Sequence, residues 1–156
     1  MSSTLRERAL RLLARREHAR AELARKLTPH AESAEEVEAL LDDLSARRLL
    51  SDERYVEMRM NARGERFGNA RLAYELRTQG VSEELVVTAL ATGDDELTRA
   101  RQVWQRKFGN KVEKEGGEIG AKSDANERAR QVRFLMSRGF SGETIRRVLR
   151  GDFEDD

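Results

Sequence analysis

The sequence predicts an all-α protein in which three tandem three-helix repeats form an elongated, curved array. Three observations predict this fold class. Leucines recur at the three- and four-residue spacing of one face of an amphipathic helix, no segment has the pattern of a strand, and one helix–turn–helix joint occurs three times, with a glycine at the turn in two of its copies. A joint that returns along the chain indicates small cores, one in each repeat, rather than one large interior.

The joint is clearest at 69–82, which reads NARLAYELRTQGVS. Its helix has an apolar stripe and ends at Gly80, where a residue that tolerates positive φ is favoured. The joint returns at 126–141 and, more weakly, at 18–28. The anchor leucines of the copies, 53 and 59 residues apart, are Leu23, Leu76 and Leu135. This period fits a unit of about three helices.

The first repeat is predicted to span residues 4–50. Thr4 and Ser33 are candidate N-caps of its first and third helices. Its second helix is predicted over 18–27, because Pro29 disfavours helix in the residue that precedes it.

The second repeat is predicted at 51–92 and the third at 94–151. Ser51 or Asp52 is the candidate cap at the start of the second repeat. In the third repeat, glycines among charged residues predict a flexible, exposed loop or a frayed helix end at about 111–123.

Composition excludes several classes of protein. The chain has 38% charged and 38% hydrophobic residues, but its periodic leucines argue against disorder. It has no cysteine, which excludes disulfides and thiolate metal sites and is typical of a reducing compartment. No apolar run approaches the ~20 residues that span a membrane, and no secretory signal opens the chain. We therefore expect a cytoplasmic protein without a membrane partner.

No set of residues suited to catalysis, metal binding or a cofactor stands out in the sequence. His18 and His30 are the only histidines, and neither has the spacing of a metal-ligand pair. His18 lies among arginines, so we expect it on the surface or in an interface. The glycines at 116 and 117 lack the Gly-Lys-Ser/Thr of a phosphate-binding loop. The sequence predicts a protein that binds, is not an enzyme and needs no cofactor.

Basic residues are the best candidates for binding. The net charge is only +1, but basic side chains are concentrated in residues 1–30 and 101–150. Arg71 and Arg130 occupy the same place in two repeats, which favours a partner with its own repeat, such as a phosphate backbone or a helical filament. The alternative is that these are solvated helix faces with ion pairs along them. The candidate contact residues are Arg16, Arg20, Arg71, Arg128, Arg130, Arg133 and Arg138.

The order of these elements resembles the RecX family over nearly the whole chain. The first repeat carries ALRLLARREHARAELARKL, with an Arg-Glu-His element before a Glu-Leu pair. The motifs of the second and third repeats are Leu50-Ser51-Asp52, Tyr55, Arg63, Gly68, Arg71, Glu75-Leu76 and Gly80, then Phe134-Leu135 and Arg138-Gly139-Phe140. Ala19 departs from the pattern, because the family often has serine there.

The resemblance implies a regulator of the RecA recombinase that acts in DNA repair, recombination and the SOS response. Members of the family lie along the groove of the RecA–DNA filament and inhibit the recombinase, ATPase and coprotease activities of RecA. The partner implied is the RecA filament, with contact to single- or double-stranded DNA left open, and a monomer is expected. The alternative is a free-standing DNA-binding protein of helix–turn–helix type, since three-helix units with a short turn are also typical of such proteins.

Overall fold

The computed structural model describes residues 3–114 and 121–151, with side chains throughout that part except at 110–114 and 121–123. This part contains nine α-helices, one short 3₁₀ turn at Thr28–His30 and no strand, which confirms the predicted all-α class. None of the described helices combines the length and the apolar composition that crossing a bilayer requires. In chain order the helices are α1 (Leu5–Arg15), α2 (Arg20–Leu27), α3 (Ala34–Ala46), α4 (Asp52–Arg63), α5 (Asn69–Thr78), α6 (Glu83–Thr92), α7 (Glu96–Lys114), α8 (Ala121–Ser137) and α9 (Gly142–Arg150).

The helices start at caps that the sequence already marks. The hydroxyl oxygens of Thr4, Ser33 and Ser51 each accept the backbone N–H three residues later, at 3.1, 3.1 and 3.2 Å. α2 starts two residues later than predicted. The reason is that the carboxylate of Glu22 accepts the N–H of Ala19 at 3.3 Å and fixes Ala19 as the residue before the helix.

Both ends of the segment predicted as a loop at 111–123 are helical instead. α7 continues to Lys114 and α8 begins at Ala121, so the two ends of that segment have helical backbone. The centre of the predicted loop, 115–120, lies outside the described residues.

The chain divides into two compact units. Unit one draws on Met1–Met60 and Glu75–Ala89, and unit two on Asn61–Tyr74 and Leu90–Asp156. The helices of the predicted second repeat, α4, α5 and α6, therefore contribute to both units.

The core of unit one lies between α1, α2 and α3. Its buried side chains are Ala9, Leu23, Leu27, Val37, Leu41, Leu44 and Leu50. Each leucine removed from water in this way stabilises the fold by about 1.5–3 kcal/mol. Gly80 has a φ of +80°, and a Cβ on it would come within 2.5 Å of the Cβ of Ala21. Only glycine therefore lets the joint after α5 lie against α2.

The core of unit two lies between α7, α8 and α9. Its buried side chains are Leu97, Ala100, Val103, Leu135, Phe140, Ile145 and Val148. Ser141 caps α9 by accepting the N–H of Thr144 at 3.2 Å, and its own N–H donates to the carboxylate of Glu96 at 2.8 Å. That contact places the start of α9 beside the first turn of α7.

Candidate functional site: an arginine-lined groove

Two backbone turns of unit two pack directly on each other. The N–H of Gly68 donates to the carbonyl of Arg138 at 2.7 Å, and the N–H of Ala70 donates to the carbonyl of Gly139 at 3.3 Å. A Cβ on Gly68 would lie 2.4 Å from that Gly139 oxygen, and the φ of Gly139 is +88°. Both positions therefore require glycine. Arg71 follows Gly68 by three residues, and Arg138 directly precedes Gly139. The contact between the two turns, called the glycine joint below, therefore brings the side chains of Arg71 and Arg138 together.

Four guanidinium groups surround the ring of Phe67, which is only 6% exposed. Their central carbons lie 4.2 Å (Arg71), 4.4 Å (Arg63), 5.3 Å (Arg138) and 5.8 Å (Arg66) from the ring centroid. At this range each cation is attracted to the ring by about 0.5–1 kcal/mol or more. The ring therefore offsets part of the repulsion among four like charges and allows them to gather.

A groove of about 290 Å³ adjoins this cluster. The ring of Phe134 forms part of its lining, with the guanidinium of Arg138 at 5.1 Å and the Nζ of Lys107 at 5.4 Å from the ring centroid. Phe134 is held in place by an edge-to-face contact with Phe108, at 5.4 Å between centroids. This arginine groove is lined by Arg66, Val103, Arg106, Lys107, Phe134 and Arg138.

The arginine groove is lined by four cationic side chains. Its four cations form no ion pair with any carboxylate among the side chains that the structure describes. Arg106 donates instead to the backbone carbonyl of Glu65, which satisfies an N–H group without cancelling the charge. A groove of this kind attracts anions, and planar guanidinium groups suit phosphates and carboxylates in particular.

Two of the seven predicted contact residues belong to this site. Arg138 lines the arginine groove. Arg71 stacks on Phe67 and also donates to the carbonyl of Ser137 at 3.2 Å, so it ties the glycine joint together as well.

Three further predicted residues, Arg128, Arg130 and Arg133, lie exposed on α8. Arg130 forms an ion pair with Glu127 at 3.6 Å, and its guanidinium lies 5.9 Å from the ring centroid of Phe108. None of the three is among the described residues that line the arginine groove.

Arg16 and Arg20 take part in ion pairs within unit one. Arg16 donates two hydrogen bonds to the carboxylate of Glu22, at 3.0 and 2.6 Å. Burial acts to raise the pKa of Glu22, but the hydrogen bonds and charge of Arg16 outweigh it and hold that pKa below its ordinary value. Arg20 bridges Glu38 and Asp42 of α3, at 2.8 and 2.7 Å. Both arginines therefore have carboxylate partners within unit one.

His18 is 2% exposed, so the expectation of a surface position is wrong. Its Nδ1 lies 3.1 Å from the carbonyl of Arg16, to which it donates in the tautomer that leaves Nε2 to accept from the ammonium of Lys26, also at 3.1 Å. Burial lowers the pKa of His18, which favours this neutral form.

Sequence reasoning missed Arg66, Arg106 and Lys107 as members of the site. A basic residue precedes a Phe-Gly pair at both 66–68 and 107–109, but only the first pair explains a place in the site. There the ring of Phe67 lies beside Arg66 and Gly68 allows close packing, whereas Lys107 lies over the ring of Phe134. Arg106 has no such signal beyond its position next to Lys107.

These features define an all-α protein of tandem three-helix domains with an arginine-lined groove in unit two. Models of the first, second and third three-helix domains of RecX match residues 6–44, 51–90 and 94–149. The chain belongs to the RecX family.

Similar proteins agree with this assignment. A protein of Leptothrix cholodnii named regulatory protein RecX is 50% identical over 155 residues, which cover 98% of this chain and 92% of that protein. One of Herminiimonas arsenicoxydans with the same name is 44% identical over 154 residues, covering 98% and 95%. The crystal structure of RecX from Lactobacillus salivarius has the same fold, with a TM-score of 0.76 at 16% identity over 94% of this chain and 93% of that one.

Proposed function

We propose that this chain regulates RecA by binding along the groove of the RecA–DNA filament. Bound there, it inhibits the recombinase, ATPase and coprotease activities of RecA and so modulates DNA repair and recombination. Family membership supports a regulatory role, because the relatives are named regulatory proteins. The observation that carries the binding proposal is the arginine groove, whose cations have no carboxylate partner among the described side chains. The protein acts by binding alone and performs no chemistry.

The proposed contact surface is centred on the arginine groove and on Arg71 beside it. Arg128, Arg130 and Arg133 extend it along α8. In this proposal the protein works as a monomer in the bacterial cytoplasm, and its three repeats form a curved array that follows the filament. Small-angle X-ray scattering tests the last point, because a curved rod and a compact ball give different distance distributions.

The decisive measurement is ATP hydrolysis by RecA on single-stranded DNA while this protein is titrated in. We expect the wild-type protein to lower the rate. The double variant Arg106→Ala/Lys107→Ala should require more protein for the same inhibition, because it removes two exposed cations of the groove. Arg11→Ala/Arg146→Ala removes two exposed arginines elsewhere and should inhibit like wild type.

The salt dependence of binding to the filament gives a second readout. If the two groove cations contact phosphates, the slope of log affinity against log salt should fall by roughly 1.5 in Arg106→Ala/Lys107→Ala. No effect on RecA at any ratio would contradict the proposal. Sequence-specific binding to duplex DNA without RecA would favour the free-standing DNA-binding protein instead. Such proteins usually place their base contacts on one recognition helix, whereas these cations come from separate segments around residues 66, 106 and 138.

A further inference from the structure

A second hollow in unit two adjoins the arginine groove and has a different chemistry. Its volume is about 460 Å³, and it is lined by Glu65, Arg101, Gln102, Gln105 and Arg106. That volume lies in the range of small-molecule sites, roughly 300–1,000 Å³. Arg106 lines both this amide hollow and the arginine groove, so the two are contiguous.

Two carboxamides define the amide hollow. Gln102 and Gln105 are three residues apart on α7, so they lie on the same face of the helix, and both are exposed. A Cβ on Gly109 would come within 2.9 Å of the Nε2 of Gln105, so the glycine leaves space in which that carboxamide can rest. Each carboxamide offers two donors and an acceptor, and the carboxylate of Glu65 adds acceptors.

This set of groups suits a nucleobase better than a phosphate or an acidic peptide. The edge of a base presents hydrogen-bond donors and acceptors side by side, and a glutamine carboxamide can donate to the acceptors and accept from the donors. Phosphates and carboxylates only accept hydrogen bonds, so they would leave the acceptors of Glu65 and of the two glutamines unmatched, although Arg101 and Arg106 also line the hollow. A base, which offers donors as well as acceptors, matches the whole set.

We propose that the two hollows together bind one nucleotide of a single DNA strand. Its phosphate lies in the arginine groove, and its unpaired base lies in the amide hollow. Arg106 stands between them and contacts the nucleotide at the junction. In a duplex the pairing edge of the base is occupied by its complement, so this site selects single strands. The inference rests on the proposed function only in taking DNA as the polymer.

The test compares two single-stranded oligonucleotides of equal length, one with ordinary bases and one in which every base is absent. Fluorescence anisotropy of the labelled strands measures the affinity of the full chain without RecA. Both strands carry the same phosphates, so a difference reports on base contacts. We expect wild-type protein to prefer the strand with bases about 10-fold, which corresponds to one or two net hydrogen bonds.

Three variants test whether the preference for the strand with bases comes from the amide hollow. Gln102→Ala/Gln105→Ala should bind both strands equally, at the affinity of the baseless strand. Gln79→Ala removes a carboxamide of unit one that pairs with Arg25 and should keep the preference. Arg106→Ala should weaken binding to both strands. Circular dichroism of each variant checks that helicity is unchanged.

Equal affinity of wild-type protein for the two strands, or no binding to either, would overturn this inference. A preference that survives in Gln102→Ala/Gln105→Ala would overturn it as well. Neither result bears on whether the chain inhibits RecA, because the ATPase titration measures that property separately. A base preference without any effect on RecA would instead remove the proposed function and leave the nucleotide site standing.

Discussion

Replacing Gly68 with alanine is expected to destabilise unit two and to disturb the arginine groove. The new Cβ would lie 2.4 Å from the oxygen of Gly139, 2.5 Å from its carbonyl carbon and 2.5 Å from the nitrogen of Phe140. All three are backbone atoms, so no rotation of a side chain can relieve the overlap. The turn at 138–140 must therefore move away from the start of α5.

The expected loss in the free energy of unfolding follows from the packing and the hydrogen bond that this movement disrupts. Forcing extra atoms into a packed site costs about 1–3 kcal/mol. Separation of the turns also removes the hydrogen bond from Gly68 to the carbonyl of Arg138, now at 2.7 Å, which is worth about 1 kcal/mol net. We expect the free energy of unfolding to fall by about 2–4 kcal/mol. For a chain of this size that corresponds to a Tm lower by roughly 5–15 °C.

Thermal unfolding followed by circular dichroism measures this change, and Gly142→Ala is the matched control. A Cβ on Gly142 would meet only Nη1 of Arg146, at 3.7 Å, so its Tm should stay close to that of wild type. Gly68→Ala should also lose inhibition of RecA at a temperature where it is still folded, because Arg71 and Arg138 no longer meet at Phe67. An unchanged Tm in Gly68→Ala would refute the close packing of the two turns. An equally lowered Tm in Gly68→Ala and Gly142→Ala would show that the loss comes from replacing any glycine and not from the contact between the turns.

Two further substitutions test the interior of each unit. Leu135→Ala should lower the free energy of unfolding by about 2–5 kcal/mol in chemical denaturation, since this anchor leucine is fully buried. Met136→Ala, next to it and 61% exposed, should change it by about 0.5 kcal/mol at most. Burial lowers the pKa of His18, so the unfolded chain binds a proton at this site more readily than the folded chain. The stability that neutral His18 contributes is complete above its ordinary pKa of about 6.5 and is lost as the pH falls through the lowered value. Urea unfolding from about pH 7 to about pH 5 should therefore show a decline in wild type that is smaller in His18→Gln, and equal slopes would contradict the buried, neutral histidine.

Most of the fold could be predicted because its signals are local. Gly80, which is predicted to tolerate a positive φ, has a φ of +80°, and Gly139, at the same place in the copy of the joint at 126–141, has a φ of +88°. The anchor leucines Leu23, Leu76 and Leu135 are at most 2% exposed. Caps, glycine ends and leucine spacing each depend on a few neighbouring residues, so the sequence alone can reveal them.

The candidate site could be predicted only in part. The charge of a residue is visible in the sequence, but the side chain that folding places beside it is not. The sequence predicts both Arg16 and Arg71 as contact residues. Folding places Arg16 against the carboxylate of Glu22 and Arg71 against the ring of Phe67. Residues 67 and 138 meet only through the glycine joint, and no periodicity in the sequence marks that meeting.

The two copies of the glycine joint show how the same turn can gather positive charge in one repeat and not in another. In unit one, Gly80 lies on the methyl group of Ala21, and the contact is a packing contact alone. In unit two, Gly139 lies on the Cβ of Arg71, whose side chain continues to Phe67 and the three other guanidinium groups there. The close approach that glycine allows is the same in both, but the residue beneath the glycine is neutral in one and cationic in the other. Once that residue is arginine, the same joint gathers positive charge around one aromatic ring, and such charge attracts phosphates.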